Sequence, residues 1–185
     1  LRGDPAGRCD SGVVVICRNP SKSAGIMTRT SESERVRVVA YIDGGARGNP
    51  GPAGYGVRIE DGDGAPVAEF HGAIGIATNN VAEYNGLLAA LRWAKEHGEH
   101  AVHIRSDSLL LVEQMRGRYK VKHPGLQPLH ARATLLAHEI GRVSFEHVPR
   151  EKNTDADRLS NLAMDESEAQ LARGPASKSA QSKLF

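Results

Sequence analysis

The sequence predicts an α/β domain: a mixed five-stranded sheet flanked by helices. Three β-branched runs come first, separated by glycine-rich turns, the pattern of consecutive antiparallel strands. Short strand-like runs then alternate with longer segments whose apolar residues recur at helical spacing, the pattern of crossover connections. The resulting order is β-β-β-α-β-α-α-β-α, with no internal repeat. A chain of 185 residues has room for one ordinary domain plus tails.

Residues 1–34 show no sustained periodicity and are rich in Ser, Arg, Gly and Pro, so they read as a disordered N-terminal extension. Met27, just before the first strong strand, is the expected native start. Order begins at Val36–Ile42, a β-branched run halted by Asp43-Gly44-Gly45. Gly44 through Gly54 reads as a loop that would let a ligand approach the main chain, and Gly54–Glu60 as the second strand. Asp61-Gly62-Asp63-Gly64 is a hairpin signal, returning through Ala65 to about Gly75. A helix from about Val81 to Lys95 carries an apolar stripe from Ala82 to Ala94, and Gly98 ends it. Ala101–Ser106 is a strand and Ser108–Met115 a short helix. A second striped helix runs from about Leu126 to Ile140, closed by Gly141. Val143–Val148 is the last strand, and a helix follows from about Thr154 to Glu168. The domain is therefore expected over residues 35–168, with 169–185 a flexible tail.

An apolar fraction of 39% and a charged fraction of 25% describe a globular protein rather than a disordered one. No apolar run reaches the roughly 18–20 residues that span a membrane, and no secretory leader is recognisable, so a cytoplasmic protein is expected. Cys9 and Cys17 both lie in the extension, where a disulfide would staple nothing. A net charge of +2 does not announce a nucleic-acid partner. The local run Arg116, Arg118, Lys120, Lys122 and His123 reads first as a solvated loop, and second as a surface for phosphates.

Four acids stand where elements start or stop: Asp43, Glu83, Asp107 and Asp157. Each has an ordinary reading. Asp43 can initiate a turn, Asn80 with Glu83 and Thr154 with Asp157 resemble capping boxes, and Asp107 can cap the helix after it. Together they have another. Element ends in an α/β sheet gather at one edge, and converging carboxylates bind hard divalent cations through oxygen. A pair of such cations is standard equipment for phosphodiester hydrolysis.

The motifs make the second reading specific. From about Val36 to Glu168 the chain resembles type 1 ribonuclease H (the ribonuclease HI family), in the bacterial and archaeal form without a basic protrusion. The resemblance rests on five ordered pieces: the Asp43-Gly44-Gly45 strand end, Gly48-Asn49-Pro50-Gly51-Pro52, Thr78-Asn79-Asn80 leading to Glu83, Ser106-Asp107-Ser108, and His147 with Asn153 four residues before Asp157. It implies the ribonuclease H-like fold and an endoribonuclease that hydrolyses the RNA strand of RNA–DNA hybrids, leaving 5′-phosphate and 3′-hydroxyl ends. It implies two Mg²⁺ ions, with Mn²⁺ as a substitute, on Asp43, Glu83, Asp107 and Asp157. Asp43 would bridge both ions, Asp157 would serve the attacking water, and Glu83 and Asp107 the leaving oxygen. His147 would assist proton transfer or product release. Gly48, Asn49, Thr78, Asn79 and Asn80 would lie at the minor groove, with Arg150 at a phosphate.

Two departures matter. Only Gly117–Pro124 fills the place of the basic protrusion, and Leu109 stands where some members carry a substrate-touching glutamine. Looser specificity is implied, including weak cleavage of duplex RNA. A transposase or integrase core would need DNA-binding domains for which the chain has no room, and a catalytically dead hybrid-binding module is disfavoured by the four acids. A monomer is expected. Gln181, Leu184 and Phe185 resemble the short peptides with which bacterial replication proteins dock on the sliding clamp, although a random tail can end the same way.

Overall fold

The computed structural model describes residues 38–173. The extension with Cys9, Cys17 and Met27, and the end carrying Gln181, Leu184 and Phe185, lie outside the described residues. The strands are β1 (Val38–Ala46), β2 (Gly51–Asp61), β3 (Pro66–Ala77), β4 (Ala101–Ser106) and β5 (Arg142–His147). The helices are α1 (Asn79–Glu96), α2 (Leu109–Met115), α3 (Gln127–Ile140) and α4 (Thr154–Ala172), with a one-turn 3-10 helix at Arg150–Lys152. Element order is the one the sequence predicts. The sheet runs β3-β2-β1-β4-β5; β2 is antiparallel to both β1 and β3, while β4 is parallel to both β1 and β5.

Alternation within the strands assigns the faces. Val38, Ala40 and Ile42 of β1, Val57 and Ile59 of β2, and Val102 and Ile104 of β4 point to one side. There they meet Leu87, Leu88, Leu91 and Ala94 of α1, which α3 covers in turn through Ala133 and Ile140, with Leu126 just before it. Helix α4 lies on the other face, chiefly over β2 and β3, with Ala156, Leu159, Ala163 and Met164 buried.

The expected loop over residues 44–54 is mostly strand. Ladder pairs continue through Gly44↔Tyr55, Gly45↔Gly54 and Ala46↔Ala53, so only Arg47–Pro50 turns the chain. Gly44 in this stretch, and Gly56 just past it, serve helix docking. A Cβ on Gly44 would stand 2.2 Å from the Glu83 nitrogen, and one on Gly56 2.3 Å from the Ala156 carbonyl oxygen. Without those side chains α1 and α4 come against the sheet at backbone distance. Helix α4 also outruns its expected end at Glu168, reaching Ala172, since nothing in Ala169–Ala172 breaks a helix. Among the described residues no helix is long and apolar enough to cross a membrane.

Candidate active site

Parallel pairing places the first two acids side by side. The β1–β4 ladder ends at Ile42↔Ser106, so Asp43 and Asp107 are each the next residue along. The close approach at Gly44 brings Glu83, in the second turn of α1, down to the same edge, and α4 delivers Asp157 in its first turn. One open cleft of about 650 Å³ is lined by Asp43, Glu83, Asp107 and Asp157 together with Asn79 and Arg150.

Capping does not employ these acids. The Thr78 hydroxyl accepts from the Val81 N–H at 3.4 Å, and the Ser108 hydroxyl accepts from the Leu111 N–H at 3.3 Å. Helix α4 begins after Asn153 with no side-chain cap. Asp43 initiates no turn, because β1 continues past it. Each carboxylate instead faces a donor. Ser160 donates to Asp43 and Ser108 to Glu83. Asn153 Nδ2 lies 3.2 Å from an Asp107 oxygen, and Arg150 reaches Asp157 at 2.5 Å. Asn161 adds a 3.2 Å contact to Asp157. Sequence reading gave no role to Ser108, Ser160, Asn153 or Asn161. Ser108 stands inside the Ser106-Asp107-Ser108 motif, whereas Ser160 gave only the weak signal of a serine in mid-helix, its Oγ 2.9 Å from the Asp157 carbonyl oxygen.

Electrostatically the cleft is loaded. Burial pushes Asp43 up to about 6; repulsion from Asp107 and Asp157 adds to this, while the Ser160 hydroxyl and the Gly44 N–H work against it. Burial likewise pushes Glu83 up to about 7, with Asp43 and Asp107 adding and Ser108 opposing. Arg150 is held more firmly protonated by Asp157.

The other candidates are more dispersed. The exposed His147 places Nε2 3.2 Å from the Asp107 carbonyl oxygen, on the rim rather than in the lining. Gly48 and Asn49 are exposed in the β1–β2 turn. Asn79 ties that turn to α1: its Oδ1 accepts from the Ala46 N–H at 2.8 Å and its N–H donates to Asn49 Oδ1 at 3.3 Å. Among the described residues neither side-chain NH₂ group has an acceptor. Thr78 is the cap already described, and Asn80 is partly buried in the first turn of α1. The cationic run is partly consumed by the protein, for Glu113 takes Arg116 at 3.2 Å and Arg118 at 3.3 Å, leaving Lys120 and Lys122 exposed. Residues 116–126 join α2 to α3 without a further helix.

The donor set fits a hard divalent cation. It is all oxygen, it is anionic, and burial with mutual repulsion makes a counter-charge favourable. Among the described residues no three His, Cys, Asp or Glu side chains stand close enough together to hold a metal ion as they lie. The carboxylates would exchange their present serine, amide and arginine partners for it.

Comparison with known proteins is unambiguous about kinship. A family model described as reverse transcriptase-like matches residues 41–163. A bifunctional protein of Mycobacterium tuberculosis is 53% identical over 131 residues, 70% of this chain and 36% of that protein. Its N-terminal RNase H domain, solved as a fusion with maltose-binding protein, superposes with a TM-score of 0.70 over 74% of this chain and 99% of that one. Ribonuclease HI of Halobacterium salinarum is 45% identical over 130 residues, 70% of this chain and 65% of that protein. Its crystal structure gives a TM-score of 0.68 over 70% of this chain and 98% of that one. An RNase H1 isolated from compost, solved in complex with an RNA/DNA hybrid, is 45% identical with a TM-score of 0.68, covering 71% and 99%. The chain thus spans about a third of the mycobacterial protein and about two thirds of the archaeal one. Motif order, sheet topology and these likenesses agree: the fold is ribonuclease H-like, and the chain belongs to the ribonuclease HI family.

Proposed function

We propose that residues 35–168, extended by α4 to Ala172, form a catalytic domain that hydrolyses the RNA strand of RNA–DNA hybrids, leaving 5′-phosphate and 3′-hydroxyl ends. One observation carries the reading: Asp43, Glu83, Asp107 and Asp157, from four separate elements, line a single cleft. A 45% identical relative solved with an RNA/DNA hybrid supports the substrate. The four acids would hold two Mg²⁺ ions, or Mn²⁺ in their place, and these would supply Lewis acidity toward the attacking water and the leaving 3′ oxygen.

The chain's own groups do the rest. Asp43, central in the cleft, belongs to both halves of the site. Asp157 orients on the water side and Glu83 with Asp107 on the leaving-group side. His147, on the rim beside Asp107, is placed to pass a proton between the site and solvent. Arg150 is exposed beyond its contact with Asp157 and can take a substrate phosphate through its remaining N–H groups. Asn49 and Asn79 present amide donors at the turn beside the cleft, where Gly48, Thr78 and Asn80 complete a surface for the minor groove and the 2′-hydroxyls that mark RNA. Contacts of this kind read shape, not sequence. With no protrusion helix, Lys120 and Lys122 offer the substrate only non-specific phosphate contacts, so binding should weaken steeply with salt and a low level of duplex-RNA cleavage is expected. We place the reaction in the cytoplasm, performed by a monomer.

The test is cleavage of a labelled RNA–DNA hybrid, duplex RNA and duplex DNA with and without Mg²⁺, using Asp43→Asn as control. Mg²⁺-dependent cutting of the hybrid RNA strand that Asp43→Asn abolishes is expected. Cutting of duplex DNA in preference to the hybrid would overturn the reading.

A further inference from the structure

Asn153 is buried at 1% exposure immediately before α4. Its side-chain NH₂ has two hydrogens, and both have partners far away in sequence. Nδ2 lies 2.9 Å from the carbonyl oxygen of Ile42 and 3.2 Å from Oδ1 of Asp107. Its main chain is equally committed. The Asn153 carbonyl accepts from the Asp157 N–H at 3.0 Å, and its N–H donates to the Arg150 carbonyl at 2.9 Å. Ile42 is the residue that leads into Asp43. One side chain and its peptide therefore index three of the four carboxylates.

The amide's orientation is dictated by its surroundings. Both partners of Nδ2 are acceptors, so turning the amide over would set oxygen against oxygen twice. The consequence is visible at the other end: Asn153 Oδ1 is buried with no hydrogen-bond partner among the described residues. An unpaired buried acceptor costs free energy, and a native protein that retains one calls for a reason. Aspartate has no N–H to offer, and serine has one hydrogen where two are used. Only the amide joins the edge of β1 to the Asp107 carboxylate.

Resting on the hydrolytic reading above, we propose that Asn153 is a positioning residue for the reaction: it holds Asp107 against the end of β1 and fixes Asp157 relative to both, so that the carboxylates are spaced to receive metal. A residue that merely stapled α4 to the sheet would share the burial but not the bond to Asp107.

The experiment compares wild type with Asn153→Ala and Asn153→Ser, alone and in an Asp107→Asn background. Four quantities are read: Mg²⁺ affinity by calorimetry without nucleic acid, kcat and KM on a hybrid, and melting temperature in EDTA. Loss of a group that orients a metal ligand typically weakens metal affinity or activity about 10- to 100-fold. Asn153→Ala is expected to lower Mg²⁺ affinity and kcat by about tenfold or more, with KM for the hybrid changed by less than about threefold. Added to Asp107→Asn, it should cause no further loss of Mg²⁺ affinity. The proposal is overturned if Asn153→Ala melts lower yet binds Mg²⁺ and turns over like wild type, or if its loss adds in full to that of Asp107→Asn. Should the variants not fold, the wild-type Asn153 side-chain amide resonances decide the matter. They should move on Mg²⁺ addition, and a signal indifferent to Mg²⁺ overturns the proposal. Wild type that neither binds Mg²⁺ nor cuts a hybrid would sink the hydrolytic reading itself, a distinguishable result.

Discussion

From Val38 to Ile42, β1 alternates apolar side chains that are wholly covered by α1; from Asp43 to Ala46 the same strand carries a carboxylate, two glycines and an alanine. The first half gains stability from burial, with Ile42 at 1% exposure among Val57, Leu87 and Ile104. The second half spends it. Its glycines bury no side chain of their own, and its acid is pushed up to about 6 by burial and by like charges. Adjacent residues of one strand thus serve opposed ends. The core half and the two helices force together charges that would otherwise separate.

The sharpest way to separate the halves is to strike each in turn. Asp43→Asn should slow hybrid cleavage by on the order of 10³-fold, since several kcal/mol of charge stabilisation depends on it. Its melting temperature without Mg²⁺ should hold or rise, because a repelled buried charge is gone. A large drop in stability would erase the contrast. Ile42→Ala should do the reverse, costing about 2–5 kcal/mol in denaturant unfolding while the folded fraction keeps its turnover within a few-fold.

Gly44→Ala tests the boundary between the halves. Its new Cβ meets the Glu83 backbone at 2.2 Å, so α1 must back away from β1. About 1–3 kcal/mol of stability should be lost, and turnover should fall as well because Glu83 moves with the helix. Stability lost with turnover intact would mean that the helix approach serves packing alone.

The smallest effect is a pH dependence. Glu83 has a folded-state pKa of about 7 against an ordinary 4.5, so the folded state holds its proton more tightly than the unfolded state. That favours folding below about pH 4.5 and is lost as pH rises through about 7. Metal-free wild type should therefore lose stability over this window relative to Glu83→Gln, which has no proton to release. Mg²⁺ should restore wild type most at the alkaline end, where the carboxylates are free to bind it. Parallel melting curves of the two proteins across pH would contradict this placement of Glu83.

Much of this was legible in the residues. The β-branched runs, the apolar stripes and the Asp61–Gly64 hairpin announce the element order, because two-residue and helical periodicities are local properties of a chain. The four acids could be picked out by their motifs, and Asp43, Glu83, Asp107 and Asp157 do line one cleft. What the sequence withheld was anything that depends on which element lies against which. Gly44-Gly45 read as loop because glycine is rare in strands; only the approach of Glu83 explains a glycine there. The capping signatures at Asn80 and Thr154 were local patterns: Thr78 caps α1 in place of Asn80, and α4 starts after Asn153 with no side-chain cap at all. Ser160 and Asn153 reach Asp43 and Asp107 across 117 and 46 residues, distances over which no sequence period carries information. Local chemistry determined the strands, the helices and the acids; the tertiary structure alone decided which hydroxyl, amide and guanidinium each acid would face, since those contacts exist only once β1, β4, α1 and α4 meet at one edge.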